Sequence, residues 1–226
     1  EWANLREATD GLDIALTRLP PPCTLTAIAR ELRQGYHALH IIAHGAYSER
    51  RGQAALFLAD GEKHVKRVTD DKFAAMLKRQ LADTQDPDRG GQTSDRVRLV
   101  FLASCESASR DTADAFRGLA PALVNAGVPA VVAMQERVSI TAARAFSHTF
   151  YARLLEHGLV DLAGNQARAA LLDAGSAEAA VPVVFMRMED GMLFRPPSQI
   201  APLSQYPKTK RFQHEHALIG RDRDLD

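Results

Sequence analysis

Apolar residues along this chain fall into two patterns. Short, nearly unbroken apolar runs occupy residues 37–43, 97–103, 128–134 and 181–186, whereas the stretches between them repeat apolar positions every three or four residues. The first pattern predicts strands buried on both faces, the second amphipathic helices. Helices are expected at 112–126, with Phe116, Leu119, Leu123 and Val124 inward, at 140–157, with Phe146, Phe150, Leu154 and His157 in one stripe, and at 161–174. Nearer the start, Trp2, Leu5 and Ala8 mark a helix by their spacing. Thr24 or Thr26 caps a second, with Leu25, Ile28, Ala29 and Leu32 on one face and Gly35 as its stop. Thr69 or Asp70 starts a third, carrying Phe73, Met76, Leu77 and Leu81.

Two further strands are expected. Residues 13–19 alternate in part and stop at three consecutive prolines, and residues 54–59 run into a turn at Asp60 and Gly61. Alternation of strand and helix predicts an α/β fold with a mostly parallel central sheet and helices on both faces. The polar stretch 83–95 reads as a surface loop. After Arg195 the composition turns to prolines and basic residues, so 1–195 reads as one domain and 196–226 as a linker leading onward.

Composition narrows the function. Lysine plus arginine and aspartate plus glutamate number 28 each, so no net field draws the chain to nucleic acid or an anionic membrane. Two cysteines, Cys23 and Cys105, are too few for a disulfide framework and fit a reducing, cytoplasmic setting. The most apolar run, 126–134, falls well short of the roughly 20 residues that cross a bilayer. The opening at Glu1 without a methionine reads as a piece of a longer chain.

Candidate chemistry gathers at strand ends. His44 and Cys105 each follow the C-terminal end of an expected buried strand, where open α/β sheets bind their ligands. A thiolate attacks a carbonyl when a histidine takes its proton and later returns it to the leaving amine. The flanking residues Ala43, Gly45, Ala103 and Ser104 are small, which leaves room for a substrate backbone. The amides of Gly45 and Cys105 then serve a developing oxyanion.

The stretches HALHIIAHG, VRLVFLASCES, GVPAVVAMQERVS and AFSHTFYARLLEHGLVDLAGNQARAAL resemble, in order, the CHAT domain, a caspase-like relative of the separases, over residues 1–195. The resemblance implies a caspase-like three-layer α/β/α sandwich and a cysteine endopeptidase without cofactor or metal. It implies a dyad of His44 and Cys105 and an oxyanion hole of the Gly45 and Cys105 amides. The specificity pocket would draw on Gln135, Glu136, Ser104 and Glu106, and its acidic lining would favour a basic side chain before the cut. His40 matches a histidine common in the family's strand, and strand parity puts it on the face of His44.

Two departures bear on that pocket. Ser139 is followed by Ile140 and Thr141 where family members often carry an acidic residue, and Glu136 stands where an apolar residue is more usual. At the other end, Leu218 to Leu225 resembles the entry segment of STAND-type ATPase domains, although no phosphate-loop motif occurs in the chain. That likeness implies an adjoining ATPase or sensor domain that regulates cleavage of a protein or peptide substrate in bacterial signalling or defence. The rival reading is a docking or scaffold module of the same fold without catalysis.

Other candidates carry less. His37, His40, His44 and His64 lack the spacing of a metal site, because positions 37 and 40 belong to opposite faces of one strand. No nucleophile-elbow motif surrounds Ser104 or Ser107. The cluster Lys208, Lys210 and Arg211 reads as solvated linker rather than an RNA contact, and Cys23 as structural.

Overall fold

The computed structural model describes residues 2–62, 64–83, 96–103, 110–136 and 138–195. Six helices and seven strands are found there. They are α1 (Trp2–Ala8), α2 (Leu25–Leu32), β1 (Ala38–Ile42), β2 (Gly45–Ser48), β3 (Gln53–Ala59), β4 (Val65–Thr69), α3 (Asp70–Asp83), β5 (Leu99–Ala103), α4 (Arg110–Asn125), β6 (Ala130–Met134), α5 (Ile140–His157), α6 (Val160–Asp173) and β7 (Pro182–Met186). Of the expected loop at 83–95, Asp83 ends α3 and the rest, like the tail at 196–226, lies outside the described residues.

The central sheet has the order β1-β5-β6-β7. β1 pairs parallel with β5, and β5 with β6, while β7 runs antiparallel to β6. Alternation along each strand splits the core into two layers. Val100, Leu102, Val131, Ala133 and Ile41 face one side, with Ile28 of α2, Phe73 and Leu77 of α3 and Phe116 of α4. Leu99, Phe101, Ala130, Val132 and Met134 face the other, with Leu5 of α1, Phe146 and Phe150 of α5 and Ala163 of α6. The result is the expected three-layer α/β/α sandwich with a mostly parallel central sheet.

Capping follows the local sequence. Thr24, not Thr26, caps α2 by accepting from the Ala27 N–H at 3.0 Å. Ser139 does the same for α5 through Ala142. Gly158 ends α5 with a φ of 76°, its N–H donating to the Leu154 carbonyl.

Three expectations are corrected. Residues 13–19 form no strand; they lack a partner ladder, Leu16 is exposed, and the prolines that follow supply no N–H. Strand 53–59 does not join the central sheet. It pairs antiparallel with β2 and β4, two strands the apolar pattern did not announce, in a separate sheet of order β2-β3-β4. The connections explain this, since a parallel pairing needs a crossover of a dozen residues or more. β2 and β3 are joined only by a 3-10 turn at Glu49–Arg51 and Gly52. β3 and β4 are joined by a turn in which the Asp60 carboxylate accepts from the Glu62 and His64 amides. This small sheet lies on α4, where a Cβ at Gly118 would stand 3.0 Å from that of Ala54.

The third correction is the direction of β7. One crossover helix returns a chain to the rim where the preceding strand began. Two successive helices, α5 and α6, carry it across twice, so β7 starts at the rim where β6 ends, with Pro182 paired to Met134.

Candidate functional site

The C-terminal ends of β1, β5 and β6 lie side by side on one rim, because the registers run level. Ile42 is paired with Ala103, and Leu102 with Ala133. β5 is therefore the middle strand, flanked by the segment that carries His44 and the one that carries Gln135.

His44 is exposed, in the short passage between β1 and β2. Its backbone is held from the small sheet, where the Phe57 N–H donates to the His44 carbonyl at 2.9 Å. That bond makes His44 and Phe57 a hydrogen-bonded antiparallel pair. The next pair, Gly45 with Leu56, is then a non-hydrogen-bonded one, and the ladder turns the Gly45 N–H away from β3. Gly45 itself is buried.

On the other flank, Gln135 is half-buried just past β6, and its N–H donates to the Val181 carbonyl at 3.1 Å. Glu136 is exposed beside it. The expected nucleophile Cys105, with Ser104 and Glu106, lies outside the described residues. The second cysteine, Cys23, is half-buried with Sγ 3.7 Å from the Leu19 carbonyl oxygen.

His40 does not join His44 at the rim. Its ring turns into the core, stacked on Phe101 with centroids 4.4 Å apart, and Nδ1 shares a 2.9 Å hydrogen bond with the Tyr151 hydroxyl. Burial pushes its pKa down to about 3 and raises that of the Tyr151 phenol, so both are neutral. His37 lies before β1 at the opposite rim, edge-on to Phe194. Among the described residues no group of three or more His, Cys, Asp or Glu side chains is placed to hold a metal ion.

Sequence reasoning missed Glu178. Its carboxylate accepts from the Ser139 N–H at 2.6 Å and from the Ser139 hydroxyl at 2.7 Å. Nothing local in the sequence signals that contact, since the two residues belong to segments joined only by the reversal at α5 and α6.

The CHAT domain family model matches residues 4–215 of the chain. No curated protein matches it.

Proposed function

The chain belongs to the CHAT domain family, a caspase-like family, and on that footing we propose that it is a cysteine endopeptidase acting through His44 and Cys105. The observation that carries this reading is the level ending of two neighbouring strands. Ile42 of β1 and Ala103 of β5 are register partners, and His44 and Cys105 follow them by two residues each. In any chain conformation, two residues reach at most about 7 Å from the strand end. The strands that lead to the proposed base and nucleophile thus end at adjacent points of one rim.

In the proposed reaction His44 takes the Cys105 proton, and the thiolate attacks the carbonyl carbon of the scissile amide. Amides of Gly45 and Cys105 donate to the oxyanion, a contribution worth on the order of 100- to 1,000-fold per donor. The amine leaves with the proton from His44, and water releases the acyl group from sulfur, again with His44 as base. Gln135, Glu136, Ser104 and Glu106 line the pocket for the residue before the cut. An acidic lining there selects a basic side chain.

Among the described residues no helix is long and apolar enough to cross a membrane. The proposed setting is the cytoplasm, where the thiol stays reduced. The proposed context is a regulated peptidase domain at 1–195, with 196–226 leading to a STAND-type ATPase domain that gates cleavage of a protein substrate in bacterial defence or signalling.

Covalent labelling tests the dyad. A peptidyl acyloxymethyl ketone should alkylate Cys105, with the thiolate forming the C–S bond as the carboxylate leaves. His44→Ala should slow this by about 100- to 10,000-fold with an unchanged melting curve. A wild-type protein that no such probe labels, even in the presence of its adjoining domain, would leave the docking module as the better reading.

A further inference from the structure

The connection after β6 is fastened at both ends by the segment before β7. At one end the Gln135 N–H donates to the Val181 carbonyl, and at the other the Glu178 carboxylate takes both the N–H and the hydroxyl of Ser139. Between them Val138 is buried and Glu136 exposed. Glu178 is itself held, because its N–H donates to the Ser176 hydroxyl and its carbonyl accepts from the Val181 N–H. This clamp exists because the double crossover brings residues 178–181 to the rim where β6 ends.

Helix α5 has no acidic residue in its first turn. Glu178 supplies the missing negative charge from a distant segment, against the N-terminal end of an 18-residue helix dipole. Two short charge-assisted hydrogen bonds to one residue fix orientation as well as distance. We propose that Glu178 is a positioning residue for substrate selection: by clamping Ser139 it holds Gln135 and Glu136 in one arrangement toward the residue before the cut, without touching substrate. This rests on the peptidase reading for its substrate, but the clamp can be tested without it.

Glu178→Ala and Glu178→Gln are compared with wild type in the full chain by two measurements. The first is hydrogen exchange of amides over 135–143. Glu178→Ala should accelerate exchange there by tenfold or more and leave β5 and β6 unchanged, and Glu178→Gln, which keeps one acceptor, should fall between. The second is alkylation of Cys105 by paired probes with arginine or leucine in the last position. Glu178→Ala should raise the half-saturating concentration of the arginyl probe and shrink the preference between the two by about tenfold, with the maximal rate kept within twofold. A role confined to stability would lower the melting temperature or the maximal rate and leave the preference alone.

Unchanged exchange over 135–143 would overturn the clamp, and unchanged probe preference with faster exchange would overturn its role in selection. Faster exchange in a protein whose wild type takes no probe would support the clamp and count against the peptidase reading alone.

Discussion

His40 Nδ1 and the Tyr151 hydroxyl meet at 2.9 Å, bonding the middle of β1 to the middle of α5. The ring is sandwiched on Phe101, its own register partner on β5, which in turn packs edge-on against Phe150. A strand leading to the proposed base is thus tied to the helix that Ser139 caps.

Stability should fall with pH in a defined window. Burial pushes His40 down to about 3 in the fold, against about 6.5 in an unfolded chain. Between those values the unfolded chain binds a proton that the native one does not, so the contribution is fully present above about pH 6.5. It is lost as pH falls toward 3, with a slope of at most about 1.4 kcal/mol per pH unit. The ring's described neighbours, Phe101 and Tyr151, carry no charge there. Urea unfolding between pH 7 and 4.5 should show the slope, and His40→Asn should flatten it; an equal slope in the variant would assign the effect to other groups.

Tyr151→Phe removes a hydroxyl from a buried site and leaves Nδ1 of His40 without its partner. A loss of about 1–3 kcal/mol is expected from an unsatisfied buried polar atom, read as a shift in the urea midpoint at unchanged slope.

Two glycines at similar dihedral angles should respond differently to alanine. Gly158 and Gly175 have φ of 76° and 73°, so each pays roughly 1 kcal/mol for a left-handed alanine. A Cβ at Gly175 meets open space, whereas at Gly158 it would stand 1.6 Å from the Phe194 carbonyl oxygen. That oxygen belongs to backbone held by bonds from Leu193 and Phe194 to the Gly158 carbonyl. Gly158→Ala should therefore cost several-fold more than Gly175→Ala in calorimetry, and equal costs would contradict the described packing.

Catalytic pairs that act as one unit are not additive. His44→Ala and Cys105→Ala should each reduce peptide hydrolysis to a common floor, and the double variant should fall no further. Multiplying losses in the double variant would mean that the two side chains work independently.

Much of the fold was legible because burial leaves a local trace. Of the stripe expected on α5, Phe146, Phe150 and Leu154 are at most 3% exposed, whereas His157 is half-buried and bonded to Gln166. Strands β5 and β6 are apolar at every described position because helices cover both faces. The false strand at 13–19 shows the weakness of partial alternation without a partner. β4 escaped because three of its five residues, Val65, Lys66 and Arg67, are exposed on an edge strand. Strand parity put His40 on the face of His44, yet parity along a strand specifies a face and not a neighbour. Tyr151, whose hydroxyl is the partner of His40, comes from more than a hundred positions away.

By itself, then, the order of residues determined where helices and buried strands lie and that His44 and Cys105 each trail a strand, since these depend on periodicity within single segments. Tertiary structure alone decided which sheet each strand entered, that β7 runs backward, and that Glu178 reaches Ser139. Those outcomes depend on connection length and on how many times the chain crosses the sheet. Such quantities are properties of the whole path, and no single segment carries them.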